Sequence, residues 1–402
     1  MRRIAFFILV VLTFAPTFIR AQSLSPIYPA ALRPGDTIAV VAPAGSLEPY
    51  RIELARKRLI RMGFRVRLPR DLYRKRGYLA GSDEARAQEL MAAFRDPAVK
   101  AIFPGTGGFG VTRMLDQLDY DVIRANPKIL LGFSDITGLH LAIGRKTGLI
   151  TFHSPVLMYG LGSREDLSDF SAEYLWRAVL YSSYFDWAGD PLEPGYSYYI
   201  PSEVATLRTL APGKAQGRLT GGNLSLICAL MGTPYEIETD GRVLFLEDVN
   251  EEPYRIDRFL SQLRLAGKFD RVAGVILGTF TGCETKKGSD SLSLAQVFND
   301  YFANLPVPVV VGFPAGHARH NATLPMNALV ELDASTRRIR ILENPVRIEE
   351  TASIAPNQPE PDAEPPAPDP EPAGPSLPEN QFEPVEAPPA SPISPEILRR
   401  IP

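Results

Sequence analysis

The sequence predicts an α/β protein built from two domains, and three observations support this. The chain has 402 residues, of which 45% are hydrophobic, and this suffices for two packed domains of roughly 100–200 residues each. From residue 37 onward, short apolar runs alternate with segments of helical periodicity. Several apolar runs end in glycine or proline, as strands do before a turn. Such alternation is typical of a mostly parallel, doubly wound sheet that helices cover on both faces.

The N-terminal domain, predicted for residues 27–165, alternates five strands with four helices. We expect its strands at residues 38–42, 64–68, 99–103, 129–131 and 149–152. We expect its helices at residues 48–62, 82–94, 111–118 and 135–144. Gly63 is a typical stop for the first helix, and Ser82 is a typical N-cap for the second. Ligands of such sheets bind beyond the carboxyl ends of the strands.

A second α/β domain, smaller and rich in strands, is predicted for residues 213–348. We expect its strands at residues 243–246, 272–277, 307–311 and 328–332. One amphipathic helix is indicated by Ile256, Phe259, Leu260 and Leu263, which recur at i, i+3, i+4 and i+7. Residues 166–212 interrupt the alternation, and we interpret them as a connecting helix followed by a linker.

Both ends of the chain are predicted to lie outside these domains. Residues 1–22 have a positive start, an apolar run and a small residue before a polar stretch, which is the pattern of a signal peptide. We therefore expect a periplasmic or secreted protein with no membrane span once the signal is removed, and an uncleaved N-terminal anchor is the alternative. Residues 351–402 contain 16 prolines, so we expect a disordered, solvated tail.

Composition argues against several classes of protein. The net charge is 43 − 46 = −3, and no basic stripe interleaved with aromatic residues indicates a nucleic-acid partner. Cys228 and Cys283 are the two cysteines, too few for a disulfide framework or a thiolate metal site. Two buried free thiols are the favoured interpretation, and a single bridge stays open. No cluster of histidines, cysteines and carboxylates has metal-ligand spacing, so no metal is expected.

Ser134 lies in the segment Gly132-Phe133-Ser134-Asp135, between a predicted strand and a predicted helix. A serine on such a sharp turn exposes its hydroxyl at the carboxyl edge of the sheet. The free N–H groups of the helix N-terminus would stabilise an oxyanion formed by attack on a carbonyl. The pattern G-x-S-x-G is absent, however, and a helix N-cap explains the tetrapeptide at least as well.

Glycines follow the preceding strand, in the segment Gly105-Thr106-Gly107-Gly108-Phe109-Gly110. Glycines let backbone N–H groups approach a ligand closely, so this turn is a candidate for a second oxyanion donor or for a phosphate cradle. The spacing does not fit a dinucleotide fingerprint. A tight turn with no ligand is the structural alternative.

A serine nucleophile needs a base, and the chain has four histidines. His140 follows Ser134 by six positions on the same predicted helix and therefore points elsewhere. His153 ends the next strand and borders the same crevice. His317, directly after Gly316 in a loop that follows an apolar strand, is a better candidate than His320.

An orienting carboxylate completes such a constellation. Glu247 is the first polar residue after the apolar run of residues 243–246. Asp248, Glu251 and Glu252 are its competitors, and two of the four acids are expected to be ordinary solvated charges.

These motifs, taken in order, resemble those of the LD-carboxypeptidases, serine peptidase family S66, whose relatives include the microcin C immunity peptidases. The resemblance spans residues 27–343. The segments that carry it are Gly107–Gly110, Gly132–Asp135, Gly221-Gly222-Asn223, Leu246-Glu247-Asp248, Tyr254–Arg258 and Gly316-His317 through Pro325.

The resemblance implies an active site at the junction of the two domains. Ser134 would be the nucleophile, His317 the general base and then acid, and Glu247 the residue that orients it. The oxyanion hole would use backbone N–H groups of Asp135 and of the turn Gly107–Gly108. No cofactor is implied, and a homodimer is one expected state.

The resemblance also implies a substrate pocket lined by Thr106, His153 and Asn223. Two of these positions depart from the family pattern. The family commonly has Arg where Thr106 stands, and its His-Gly-Pro segment reads His153-Ser154-Pro155 here. The departures bear on substrate preference.

The expected function is removal of the terminal D-alanine from peptidoglycan tetrapeptides through an acyl-enzyme. Two alternatives remain open at this point. One is hydrolysis of an amide in a peptide antibiotic, as in the immunity relatives. The other is a non-catalytic wall-binding protein with the tail as a tether.

Overall fold

The computed structural model describes residues 24–180, 195–286 and 288–348. The predicted signal peptide and the proline-rich tail lie outside the described residues, as do residues 181–194 of the predicted linker. The described strands are β1 (Thr37–Val41), β2 (Arg65–Arg67), β3 (Val99–Pro104), β4 (Ile129–Gly132), β5 (Thr151–His153), β6 (Tyr196–Ser197), β7 (Arg208–Ala211), β8 (Lys214–Asn223), β9 (Arg242–Val249), β10 (Gly274–Thr281), β11 (Val309–Val311), β12 (Leu324–Met326), β13 (Leu329–Asp333) and β14 (Arg338–Ile341). The described α-helices are α1 (Pro49–Arg61), α2 (Asp83–Arg95), α3 (Tyr120–Ala125), α4 (Thr137–Thr147), α5 (Asp169–Val179), α6 (Leu224–Ala229), α7 (Pro253–Leu265) and α8 (Leu294–Phe302).

The first sheet has the strand order β12-β5-β4-β3-β1-β2, and β1 to β5 pair in parallel. Every residue of β1 is buried. Ile38 and Val40 join the core cluster that includes Ile52 of α1, whereas Ala39 joins the cluster that includes Leu90 of α2. Alternate side chains of one strand thus face helices on opposite sides of the sheet. The predicted doubly wound, mostly parallel sheet is confirmed.

One predicted helix of this domain is wrong. Residues 111–118 form two short 3₁₀ turns, Val111–Arg113 and Leu115–Gln117. The α-helix starts only at Tyr120, where the side chain of Asp119 accepts a hydrogen bond from the backbone N–H of Val122. The apolar spacing that suggested one helix therefore belongs to two buried turns that precede a separately capped helix.

The second sheet, in the domain expected to be the smaller one, has eight strands against six in the first. Its order is β6-β14-β13-β8-β9-β10-β11-β7, with β8 to β11 parallel and the outer pairs antiparallel. Sequence reasoning missed the ten-residue strand β8, because glycines and polar residues break its apolar pattern. The structure requires one of these glycines: a Cβ on Gly221 would lie 1.8 Å from the carbonyl oxygen of Phe245 on β9.

The sheets do not follow the predicted domain bounds of 27–165, 166–212 and 213–348. β12 belongs to the C-terminal part of the sequence, yet it pairs antiparallel with β5 in the first sheet. β6 and β7 come from the predicted linker and form the two edges of the second sheet. The expected connecting helix is present as α5. Edge strands take whichever chain segment covers them, and the sequence pattern does not reveal which one.

The junction between the two sheets is close and polar. The hydroxyl of Thr137, at the start of α4, accepts a 3.0 Å hydrogen bond from the backbone N–H of Asn223, at the end of β8. A Cβ on Gly222 would lie 2.7 Å from that hydroxyl oxygen. The turn that carries Ser134 is therefore seated on the carboxyl end of a strand from the other domain.

Two further expectations concern the described residues. Cys228 and Cys283 are both free and buried, which confirms the favoured interpretation. None of the helices in residues 24–348 that the structure describes has the length and apolar character needed to cross a membrane.

We predict that Gly222→Ala destabilises the protein more than Gly213→Ala does. Both glycines have nearly the same backbone angle, φ +131° and +132°, but a Cβ on Gly213 meets only ordinary contacts at 3.7 Å or more. The backbone strain is shared, at about 1–3 kcal/mol, and the clash with Thr137 adds roughly 1–3 kcal/mol for Gly222 alone. Urea unfolding of the two variants measures the difference. Equal losses would show that the junction is not tightly packed.

Candidate active site

Ser134 occupies a strained turn. It follows β4 through Gly132 (φ +136°) and has φ +62° itself, a left-handed conformation that non-glycine residues seldom adopt. A 3₁₀ turn, Ser134–Ile136, leads into α4. The N-cap residue of the turn is Phe133 and that of α4 is Ile136, and neither makes a side-chain cap hydrogen bond. The interpretation of Ser134 as an N-cap is therefore wrong. Strain of this kind persists where the surroundings enforce it and is common at functional sites.

The glycine turn after β3 packs against this serine. A Cβ on Gly107 would lie 3.0 Å from the Cβ of Ser134 and 3.3 Å from both its Oγ and the backbone N of Asp135. Gly108 is exposed and has φ +102°. Among the described residues, neither Gly107 nor Gly108 finds an acceptor for its backbone N–H. Gly107 and the backbone N of Asp135 thus lie beside the Ser134 hydroxyl, and the oxyanion role of Gly107, Gly108 and Asp135 stays a prediction.

Two buried charged side chains hold this turn, and sequence reasoning missed both roles. Nη1 of Arg86 donates to the carbonyl oxygens of Pro43 (2.5 Å) and Gly110 (2.8 Å). The side chain of Asp135 accepts a 2.8 Å hydrogen bond from the backbone N–H of Val111, and burial raises its pKa to about 6. The position of Arg86 on the apolar face of α2 was the sequence signal that could have indicated its buried role.

Glu247 and His317 form a buried pair. Glu247 ends the apolar stretch of β9 and is wholly buried, and His317 lies in the loop between β11 and β12. Nδ1 of His317 is 2.7 Å from Oε2 of Glu247. Burial raises the pKa of Glu247, and the hydrogen bond to His317 opposes that rise. A carboxylate on Nδ1 selects the tautomer whose Nε2 is free to accept a proton.

Polar contacts between residues of the segment Gly316–Pro325 hold the loop of His317. The side-chain oxygen of Asn321 accepts a 3.0 Å hydrogen bond from the backbone N–H of Gly316. Gly316 has φ +127°, and a Cβ there would lie 2.7 Å from Oε2 of Glu247. Glycine is therefore required at this position for the carboxylate to reach the imidazole.

Phe133 joins the serine turn to the histidine loop. Its ring centroid lies 4.6 Å from that of His317, so the imidazole packs beside the residue that immediately precedes Ser134. Sequence reasoning assigned Phe133 no role. The contact of Phe133 with His317 places the turn that carries Ser134 beside the Glu247–His317 pair.

His153 lies in the core beside the serine turn. Its side chain is wholly buried, with both ring nitrogens unpartnered, and its ring packs edge-on against Phe133 (5.9 Å) and Phe245 (5.0 Å). Burial drives its pKa well below the ordinary value, so the ring is neutral. In this structure the ring of His153 packs against Phe133, and its contact with a substrate stays a prediction.

The other predicted pocket residues are also buried. Nδ2 of Asn223 donates to Oδ1 of Asp248 (3.1 Å), and its Oδ1 accepts from the backbone N–H of Leu226 as the N-cap of α6. Its amide is therefore already used in positioning the strand end. Thr106 is buried, and its methyl group lies 3.4 Å from the Cβ position of Gly45. Its contact with a substrate stays a prediction.

The competing acids have other partners. Asp248 accepts hydrogen bonds from Asn223, from the backbone N–H and hydroxyl of Ser225, and from the backbone N–H of Val249. It therefore anchors the end of β9. Glu251 and Glu252 form ion pairs with Arg255 and Lys286.

The remaining histidines lie away from the Glu247 carboxylate. The ring nitrogens of His140 bond to Thr151 Oγ1 (2.9 Å) and to the carbonyl oxygen of Gly132 (2.8 Å). Nδ1 of His320 lies 3.1 Å from Ser168 Oγ. No group of three or more histidine, cysteine and acidic side chains within the described ranges has the geometry of a metal site.

Comparison with known proteins shows the family of this chain. Residues 38–154 match the model of the LD-carboxypeptidase N-terminal domain, and residues 216–332 match that of the C-terminal domain. The chain belongs to the LD-carboxypeptidase family. It is accordingly a carboxypeptidase, a hydrolase, and the resemblance stated from the motifs is confirmed.

Individual relatives extend over most of the described chain. A "Probable murein peptide carboxypeptidase" of Bacillus subtilis is 40% identical over 311 residues, which are 77% of this chain and 92% of the relative. The structure of MccF in complex with glutamyl sulfamoyl guanosine superposes with a TM-score of 0.72 at 27% sequence identity. The superposition covers 80% of this chain and 100% of the MccF chain. A muramoyltetrapeptide carboxypeptidase from Oxalobacter formigenes superposes with a TM-score of 0.64 at 26% sequence identity. The superposition covers 76% of this chain and 97% of that protein.

We predict that His140 makes the fold acid-sensitive. Burial lowers the pKa of His140 to about 4, so below about pH 6.5 the unfolded chain binds a proton that the folded protein does not. Stability from this group is present at neutral pH and is lost as the pH falls towards 4. Relative to His140→Gln, the wild-type protein should lose about 3 kcal/mol between pH 7 and pH 4.

Urea unfolding of both proteins at the two pH values measures this loss. The His140→Gln variant lacks the titrating imidazole. The difference between the two proteins therefore excludes the pH dependence that the other titrating groups contribute to both. Parallel pH profiles for the two proteins would contradict the prediction.

Proposed function

We propose that this protein is a serine LD-carboxypeptidase that removes the terminal D-alanine from murein tetrapeptides. The observation that carries the proposal is the Glu247–His317 pair beside the strained Ser134 turn. Family membership and the murein carboxypeptidases among its relatives support the substrate.

The proposed reaction begins with attack of Ser134 Oγ on the carbonyl carbon between the diamino acid and D-alanine. Nε2 of His317 takes the hydroxyl proton, and Glu247 stabilises the imidazolium that forms. The backbone N–H groups of Gly107, Gly108 and Asp135 bind the oxyanion of the tetrahedral intermediate.

The second half of the reaction regenerates the enzyme. His317 gives its proton to the leaving amine of D-alanine, and the acyl group remains on Ser134. Water then attacks the acyl-enzyme with His317 again as the base, which releases the tripeptide. The chemistry uses protein groups and water, so the proposal includes no cofactor.

The proposed compartment is the periplasm or the exterior. The signal-like residues 1–22 support it, since murein lies on that side of the membrane. Cell fractionation with an antibody against the mature protein tests this location independently of activity.

We predict that Ser134→Ala abolishes conversion of tetrapeptide to tripeptide. The substitution removes the attacking oxygen, so kcat/KM should fall by about 10³-fold or more. Mass spectrometry of murein tetrapeptide after incubation detects loss of one alanine. Ser82→Ala is the matched control, because Ser82 caps α2 through a 3.2 Å hydrogen bond from the N–H of Ala85 and lies outside the site. Full conversion by Ser134→Ala would refute the mechanism.

The structural likeness to MccF favours one second candidate, hydrolysis of an aminoacyl sulfamoyl nucleoside. The same assay with glutamyl sulfamoyl guanosine as substrate separates the two functions. A higher kcat/KM for murein tetrapeptide supports the main proposal, and the reverse order would replace it.

We predict that Glu247→Gln separates activity from stability. A glutamine cannot stabilise the imidazolium as a carboxylate does, so kcat/KM should fall about 10³- to 10⁴-fold. Burial raises the pKa of Glu247, so the ionised folded form is costly above the unfolded pKa, and the neutral amide removes that cost at pH 7.

The free energy of unfolding of Glu247→Gln at pH 7 should therefore equal or exceed that of the wild type. Kinetic assays and urea unfolding of the same preparations measure both quantities. Glu251→Gln, at a partly buried acid paired with Arg255, serves as the matched control with wild-type kinetics. Retained activity in Glu247→Gln would remove Glu247 from the mechanism.

A further inference from the structure

One peptide group near the serine turn is held by two buried side chains of opposite charge. The peptide that joins Gly110 to Val111 has its carbonyl oxygen 2.8 Å from Nη1 of Arg86 and its nitrogen 2.8 Å from Oδ2 of Asp135. Arg86 is wholly buried, and Asp135 is 1% exposed. A cation at the oxygen and an anion at the N–H both act along the dipole of this peptide, so together they fix its orientation.

Arg86 also joins the glycine turn to the loop that follows β1. Its Nη1 donates a second hydrogen bond, of 2.5 Å, to the carbonyl oxygen of Pro43. Two residues further on, the backbone N–H of Gly45 donates to the carbonyl oxygen of Gly107 at 3.0 Å. The loops after β1 and β3 are therefore linked at two points. Since Arg86 belongs to α2, this helix holds both loops against the sheet.

Asp135 extends the same connection to the nucleophile. It directly follows Ser134, and a Cβ on Gly107 would lie 3.3 Å from both its backbone N and the Oγ of Ser134. Its carboxylate reaches Val111, four residues beyond Gly107. This aspartate thus meets the glycine turn at both ends, with its backbone at the first end and its side chain at the second.

A cap for a short helical turn is the alternative role for this aspartate. Val111 begins a 3₁₀ turn that Gly110 cannot cap with a side chain, so Asp135 satisfies a free backbone N–H. Its burial exceeds what a cap needs. Burial raises the pKa of Asp135 to about 6, because the ionised form is costly there, and its Oδ1 is buried without a partner among the described residues. Asp119, by contrast, caps α3 with an exposed carboxylate.

We propose that Asp135 and Arg86 are positioning residues, which hold the backbone N–H groups of Gly107, Gly108 and Asp135 in place for the oxyanion of the transition state. This inference rests on the proposed serine mechanism and assigns two further residues to it. Both side chains act through the backbone of the glycine turn. Preorganised donors stabilise charge that develops only in the transition state, so the pair affects kcat more than substrate binding.

Removal of the carboxylate should lower kcat and leave KM nearly unchanged. Asp135→Ala keeps the backbone N–H of residue 135 but loses the bond to Val111. Its kcat for murein tetrapeptide should fall about 10²-fold, which is the effect of losing one oxyanion donor. Asp135→Asn keeps an oxygen that can accept from Val111, so its kcat should return to within several-fold of the wild-type value. Steady-state kinetics of the three proteins measure this.

Arg86 should act on the same peptide group as Asp135. Arg86→Lys keeps the positive charge but loses the fixed fork of donors, and its kcat should fall about tenfold at a nearly unchanged KM. In the double variant Arg86→Lys/Asp135→Ala, kcat should stay close to that of Asp135→Ala, because the peptide has already been released. Losses that multiply would show that the two side chains act independently, which would overturn their shared role.

Asp119→Ala is the matched control. It also removes an aspartate that accepts a hydrogen bond from a backbone N–H, that of Val122 at 3.0 Å, but at the start of α3. Urea unfolding should show a loss of stability in this variant and in Asp135→Ala, whereas only Asp135→Ala should lose kcat. If Asp135→Ala does not fold, Arg86→Lys alone provides the same comparison.

Two results would overturn the positioning role. An unchanged kcat in the folded Asp135→Ala variant, or in Arg86→Lys, would show that the pair serves stability alone. A raised KM at unchanged kcat would show that it shapes the substrate pocket.

A fluorophosphonate probe distinguishes failure of this inference from failure of the proposed function. Ser134 Oγ attacks the phosphorus, fluoride leaves with the electrons of the P–F bond, and His317 takes the hydroxyl proton, so no peptide is required. Charge develops on the phosphoryl oxygen, and the labelling rate should fall in Asp135→Ala but not in Asp119→Ala. Mass spectrometry locates the label.

The two reactions together separate the outcomes. If the wild type is labelled at Ser134 but leaves murein tetrapeptide intact, the proposed substrate fails, and the labelling rates decide the inference. If the wild type cleaves the tetrapeptide and Asp135→Ala equals it in both kcat and labelling rate, the inference alone fails.

Discussion

The seating of the Phe133–Thr137 turn on the end of β8 is the contact on which the site depends. Thr137 accepts a hydrogen bond from the backbone of Asn223, Gly222 leaves room for the threonine side chain, and Phe133 packs on the imidazole of His317. Any shift of one sheet relative to the other would separate Ser134 from the Glu247–His317 pair. Constellations of this kind lose most of their effect when displaced by about 1 Å. The pairing of β12 with β5 adds a second link, since the chain that carries His317 continues directly into the first sheet.

Burial within the site opposes stability and supports chemistry. Glu247 is wholly buried, with one carboxylate oxygen hydrogen-bonded to His317. Asp135 has one buried carboxylate oxygen, Oδ1, without a partner among the described residues. An unsatisfied buried polar atom costs about 1–3 kcal/mol. The left-handed Ser134 adds backbone strain. These unfavourable free energies are concentrated around one hydroxyl. Burial of the two large hydrophobic cores offsets them, as is common where preorganisation serves function.

The glycine turn after β3 connects the serine turn to α2. Gly107 packs on Ser134 at one end of the glycine turn, and Arg86 of α2 fixes the far end at the carbonyl oxygen of Gly110.

The sequence by itself determined the α/β class, the five parallel strands of the first sheet and the order of the motifs, because apolar periodicity and glycine stops are local signals. It also singled out Ser134, Glu247 and His317 as candidates, through strand ends and the family resemblance. Only the tertiary structure excluded the N-cap role for Ser134, since this depends on a backbone angle that distant packing imposes. It also decided that Asp248 anchors a strand while Glu247 meets His317, and that His153 is buried behind Phe133. Neither the strand β8 nor the pairing of β12 with β5 had a local sequence signal, because both are stabilised by partners far along the chain.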